Sequence, residues 1–101
     1  MVYHGIEISE ERLAEVCRRW MVQELSLFGS VLREDFHATS DIDVLVVFCP
    51  QAPWSLWDLI DMRAELQQLL GRPVDLVEKD AIRNPFRRQE ILRNCRVVYA
   101  A

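Results

Sequence analysis

The sequence predicts an α/β (α+β) fold, a small mixed β-sheet with helices packed on it, in one domain over residues 1–101. Three observations carry that expectation. Short β-branched and aromatic runs recur, most plainly Ile42–Phe48, which is too short for an ordinary helix and is followed by Pro50. Stretches with helical spacing separate these runs. The order strand, helix, strand between residues 42 and 77 favours a parallel pair with a right-handed crossover.

Length and composition bound the rest. A chain of 101 residues can bury a core but has no room for a second substrate domain. Half of it is hydrophobic and 28% charged, ordinary for a soluble globular protein. No run approaches the roughly 18 apolar residues of a membrane span, and the polar, acidic N-terminus is unlike a signal peptide. Cys17, Cys49 and Cys95 are odd in number and far apart. That is neither a disulfide framework nor a zinc spacing; it suits a reducing cytoplasm, with each thiol as an apolar filler. The net charge of −4 argues against non-specific nucleic-acid binding. The charge is uneven, however. Residues 80–101 hold Arg83, Arg87, Arg88, Arg93 and Arg96 against Asp80 and Glu90, a balance of +3 that leaves −7 for the first 79 residues. This tail is either a solvated helix face or a surface for an acidic partner, RNA or nucleotide phosphates.

Each element has its own signal. Ser9 is an N-cap, with Glu10 and Glu11 suited to the first-turn dipole and Leu13, Val16, Cys17 and Trp20 on one helix face. Leu25–Phe28 is the first strand, and a short helical turn can begin at Gly29-Ser30. Residues 31–39 are polar and mixed; His37 falls in this stretch as an exposed loop histidine, and His4 near the terminus carries no signal. After Ile42–Phe48 comes a Pro50–Pro53 loop. Ser55 to Asp58 is a capping-box pattern, with Trp54 and Leu59 as a possible staple. Leu59, Met62, Leu66 and Leu70 mark a helix that Gly71 stops. Trp54 and Trp57 either cover the sheet or form part of a partner or adenine surface. Val74–Val77 is the next strand, Asn84-Pro85 an N-cap and first helical position, and Val97–Tyr99 a short last strand.

The chemistry concentrates between residues 28 and 47. Asp41 and Asp43 open the strand Ile42–Phe48 at positions i and i+2, so they share one face. At about 5 Å and an effective dielectric of about 20, two such charges repel by roughly 3 kcal/mol. A divalent cation reverses that sign. Hard oxygen ligands on a rigid strand suit Mg²⁺, which shares its shell with water and substrate phosphates. Gly29 lets a phosphate approach the backbone, and the free N–H groups of a helix start attract anions. The first strand reaches the second through a short link and is therefore expected antiparallel to it. Gly29-Ser30 and Asp41/Asp43 then lie at one sheet edge, and Asp75, at the start of the parallel neighbour, lies there too.

Gly29-Ser30, a ten-residue gap and Asp41-Ile42-Asp43 resemble the signature of the DNA polymerase β-like nucleotidyltransferases. Phe28-Gly29-Ser30, Arg33 and Ser40-Asp41-Ile42-Asp43 resemble its minimal branch, the MNT antitoxins that pair with HEPN toxins. Val31-Leu32 and Glu34 depart from it, standing where relatives often have a small, basic or glycine residue. The resemblance implies a polymerase β-like nucleotidyltransferase core, two Mg²⁺ ions held by Asp41, Asp43 and Asp75, and ATP as substrate. It implies nucleotide or phosphate binding by Gly29, Ser30, Arg33 and Ser40; without it, Arg33 reads as a surface residue pairing with Glu34 or Asp35. It further implies transfer of AMP to a tyrosine of a HEPN ribonuclease toxin, which the larger charge and bulk would silence. Alternatives stay open: the same fold neutralising a toxin by occlusion alone, or a nucleotidyltransferase whose small-molecule or RNA acceptor a partner subunit presents. A receiver-type phosphoacceptor fits less well, because its acid ends a strand and needs a later lysine, whereas here the acids come first and Lys79 is the sole lysine.

Overall fold

The chain is seen in a computed structural model, which describes residues 1–3, 6–33 and 40–101. The expectations for His4 and His37, and for pairing of Arg33 with Glu34 or Asp35, fall on residues outside this set. In chain order the elements are a small hairpin, β1 (Val2–Tyr3) and β2 (Ile6–Glu7), then helix α1 (Glu10–Arg19) and strands β3 (Val22–Phe28) and β4 (Ile42–Phe48). Helix α2 (Leu56–Leu70), strand β5 (Val74–Glu78), helix α3 (Pro85–Arg93) and strand β6 (Cys95–Ala100) follow.

The main sheet has the order β5-β4-β3-β6. As expected, β3 and β4 are antiparallel and β4 and β5 parallel; β6 closes the far side antiparallel to β3. Alternation along the strands gives the sheet two unlike faces. Leu25 and Leu27 of β3, Ile42, Val44 and Val46 of β4 and Val74 of β5 share one core with Leu13, Val16 and Cys17 of α1 and Met62, Leu66 and Leu70 of α2. On the opposite face Phe28 and Leu45 form a smaller cluster with Ile82 and with Ile91 of α3. Asp43 and Asp75 belong to this second, thinly covered face.

The local signals explain the helix ends. The Ser9 side chain accepts from the Arg12 N–H. Ser55 and Asp58 close a reciprocal capping box, and Gly71 ends α2 in the left-handed conformation at φ +70°. Asn84 Oδ1 accepts from the N–H groups of Phe86 and Arg87, with Pro85 at the first helical position. Two expectations change. The first strand begins at Val22, not Leu25, with a register irregularity between Val22 and Glu24. Neither Trp54 nor Trp57 covers the sheet. Trp54 stands edge-on to Trp20, centroids 4.9 Å apart, and its Nε1 donates to the Trp20 carbonyl at 2.7 Å. Trp57 is 77% exposed.

Candidate active site

Strand register assembles the site. Asp43 pairs with Asp75 across the parallel ladder and with Phe28 across the antiparallel one, and Phe28 pairs with Cys95. Paired residues share a face, so Asp75, Asp43, Phe28 and Cys95 form a row across the sheet. Asp41 stands just before β4, exposed and two residues from Asp43. Its position is pinned from below: the Ile42 N–H donates to the Pro73 carbonyl at 2.9 Å, and Arg72 Nη2 donates to the Ser40 carbonyl. Asp43 and Asp75 are therefore neighbours on one face, with Asp41 at the same end of β4.

The Gly-Ser turn meets them there. Gly29–Leu32 is a turn of 3₁₀ helix that leaves β3 with Gly29 at φ +72°. A Cβ at Gly29 would overlap Asp43 Oδ2 and lie 3.1 Å from its Cγ. Asp43 also accepts a hydrogen bond from the Ser30 backbone N–H. The expected close approach to Gly29 is thus made in this state by a carboxylate of the chain itself. Ser30 Oγ lies 3.5 Å from the Asp41 carbonyl, tying the turn to the second acid. Arg33 caps the turn, its N–H donating to the Ser30 carbonyl at 2.9 Å.

Electrostatics single out Asp43. Burial, and then the charges of Asp75 and Asp41, hold its carboxyl above the usual range, while the Ser30 amide and the Arg33 guanidinium pull the other way. Such crowding is relieved by an added cation. Among the described residues no group of three or more His, Cys, Asp and Glu side chains closes into a metal cage. The donor set still fits Mg²⁺, which takes one or two carboxylates and fills its shell with water and phosphate oxygens. Ser40 is half-buried, and its carbonyl is engaged by Arg72.

Beside Asp43 opens a cavity of about 780 Å³. Phe28, Gly29 and Arg33 line it from β3 and the turn after it, Arg87 and Asn94 form a second wall from α3 and its C-cap, and Arg96 of β6 also borders it. The volume lies in the range of small-molecule sites. Sequence reasoning noticed Arg87 and Arg96 but not their placement. The available signal was the helical spacing of Arg87, Glu90, Ile91 and Asn94, which puts all four on one face of α3.

The nucleotidyltransferase domain family matches residues 10–98. The chain belongs to that family. As a nucleotidyltransferase it is 39% identical over 70 residues to protein adenylyltransferase MntA of Thermococcus cleftensis, covering 69% of each chain. Its fold is shared with a solved toxin–antitoxin containing AMP-PNP, at a TM-score of 0.74 and 21% identity, over 93% of this chain and 75% of that one. It is shared too with a solved complex of a tri-AMPylated Shewanella oneidensis HEPN toxin and an MNT antitoxin, at a TM-score of 0.66 and 19% identity, over 91% and 70%. For this nucleotidyltransferase the likeness to both structures is one of fold.

Proposed function

We propose that this nucleotidyltransferase is an Mg²⁺-dependent protein adenylyltransferase antitoxin that moves AMP from ATP to a tyrosine of a HEPN-domain toxin. The observation that carries this reading is the register of Asp43 beside Asp75, with Asp41 next to them, against the Gly29-Ser30 turn and an open cavity. The adenylyltransferase name of the Thermococcus relative, and the toxin partners of two neighbours in fold, support the choice of nucleotide and acceptor. No described helix is long and apolar enough to cross a membrane.

In the reaction a tyrosine oxygen forms a bond to the α-phosphorus while the bond from that phosphorus to the bridging oxygen breaks. The electron pair leaves on pyrophosphate, and the hydroxyl proton passes to a nearby carboxylate. Asp41 and Asp43 would hold the ions, and Asp75 would complete the set and draw the proton from the hydroxyl. Bound Mg²⁺ supplies charge neutralisation on the attacking and leaving oxygens. Ser30 and the turn amides would orient the phosphates, and Arg33 would offset charge beside Asp43. Ser40, beside Asp41, would contribute to nucleotide binding. Positioning and fixed charge supply most of the rate gain, since no covalent intermediate on the chain is needed.

The test is incorporation of label from α-labelled ATP into the partner toxin. Label should appear only with Mg²⁺, and Asp41→Ala/Asp43→Ala should abolish it in a folded protein. Full neutralisation by that double variant would replace transfer with occlusion. Label from γ-labelled ATP would instead mean a kinase-like reaction.

A further inference from the structure

The arginine-rich segment is sorted by the fold into unlike roles. Arg88 is structural: its Nη1 donates to the Lys79 carbonyl at 2.8 Å and ties α3 to the turn after β5. Arg83 and Arg93 do not line the cavity, whereas Arg87 and Arg96 do. These two come from different elements, α3 and β6, and share the cavity with Gly29 and Asp43.

Arg87 is aimed by its helix. It shares a face with Glu90, Ile91 and Asn94. Ile91 is buried against Phe28, Leu45 and Ile82, so this face is locked down on the Asp43 side of the sheet. One turn before Ile91, Arg87 then stands over the cavity mouth. Among the described residues its guanidinium has no hydrogen-bonding partner; only its backbone N–H is engaged, by Asn84. The cavity holds Arg33, Arg87 and Arg96 against Asp43 and Glu90, a positive excess in a chain of net charge −4.

We propose that Arg87 is the positioning residue for the β- and γ-phosphates of the nucleoside triphosphate. This rests on the nucleotidyl-transfer reading. Planar guanidinium groups grip phosphate oxygens in pairs, and the departing pyrophosphate carries the most charge in the reaction. The turn after β3 borders the other side of the cavity, and Asp43 there is an acceptor that could face phosphate only through a bound cation.

Calorimetric titration of the full chain with Mg·ATP, and separately with AMP, tests this. Arg87→Ala should weaken Mg·ATP binding roughly tenfold, with Arg87→Lys intermediate. AMP binding should stay within about twofold in each, and Arg93→Ala should match the parent. With the partner present, the KM for ATP should rise more than kcat falls. Unchanged Mg·ATP binding in Arg87→Ala would overturn the proposal. So would an equal loss for AMP and ATP, or a raised KM for the partner with that for ATP unchanged, which would make the wall an acceptor surface. A parent chain that binds Mg·ATP without transferring AMP would sink the transfer reading alone, since the arginine effect on binding would still be measured.

Discussion

Gly29 and Asp43 act as one unit, because the space a side chain would fill at Gly29 is taken by the Asp43 carboxylate. Gly29→Ala should therefore displace the acid and strain the left-handed backbone together. We expect at least a hundredfold loss of AMP transfer (roughly 3 kcal/mol in the barrier) with a far smaller fall in melting temperature, read from kinetics and a thermal scan of the same preparation. Asp43 also bears on stability. Its folded carboxyl titrates above the usual range, mainly from burial. The native state thus keeps a proton that the unfolded chain releases at ordinary carboxylate pH. Stability of the metal-free protein must fall as pH rises from that ordinary range through the raised folded value, and the loss persists at neutral pH. Asp43→Asn should accordingly raise the melting temperature of metal-free protein at pH 7, and should forfeit any stabilisation by added Mg²⁺. Equal melting temperatures for the two proteins would contradict this. The aspartates themselves were legible from alternate spacing and from Asp75 at the start of a parallel neighbour. What Gly29 faces was not, since that contact joins residues fourteen apart through strand register.

At the scale of elements, α1 and α2 are joined edge to edge by Trp20. Its Nε1 donates to Glu65 at 2.7 Å, Arg19 pairs with the same carboxylate, and Trp54 both stacks on its ring and donates to its carbonyl. Trp20→Ala should cost roughly 2–3 kcal/mol in a denaturant melt while leaving nucleotide binding intact, because this joint lies on the face away from Asp43. Gly71 is a simpler case. Nothing would touch a Cβ there, so Gly71→Ala pays only the left-handed backbone term, about 1 kcal/mol. Caps of this kind were readable because each is written in two or three adjacent letters. The β1–β2 hairpin was not, since its strands have two residues each and no period can show in two. The start of β3 was hidden by polar Gln23 and Glu24 at a register irregularity. The cavity face of α3 was hidden too, because burial of Ile91 by Phe28 and Leu45, distant in sequence, decides which way the helix turns.

For the whole molecule the two sheet faces differ in thickness. Cys17 lies within the thick one, fully buried, and burial pushes its thiol up to about 12 although Arg18 opposes the shift. The unfolded chain loses this proton near 9.0. Stability should then decline as pH climbs above that value, and Cys17→Ala should remove that part of the decline. In native protein iodoacetamide should label Cys49 and Cys95, both half-buried, ahead of Cys17. Mass mapping after a short pulse would show the order. The parallel pairing of β4 and β5, which brings Asp43 beside Asp75, followed from the strand–helix–strand order. The charge reversal near the C-terminus was visible as a count but gained meaning only when the fold sorted its arginines.

Because β4 is an inner strand of the sheet, its odd and even positions answer to different demands. A saturation library scored separately for cellular abundance and for neutralising power would show a two-beat rhythm along this strand. Substitutions at Ile42, Val44 and Val46 would empty the cell of protein, whereas those at Asp43 would leave it well stocked with an inert copy. Leu45, beneath α3, would fall between the two, loosening the arginine wall before it unseated the fold.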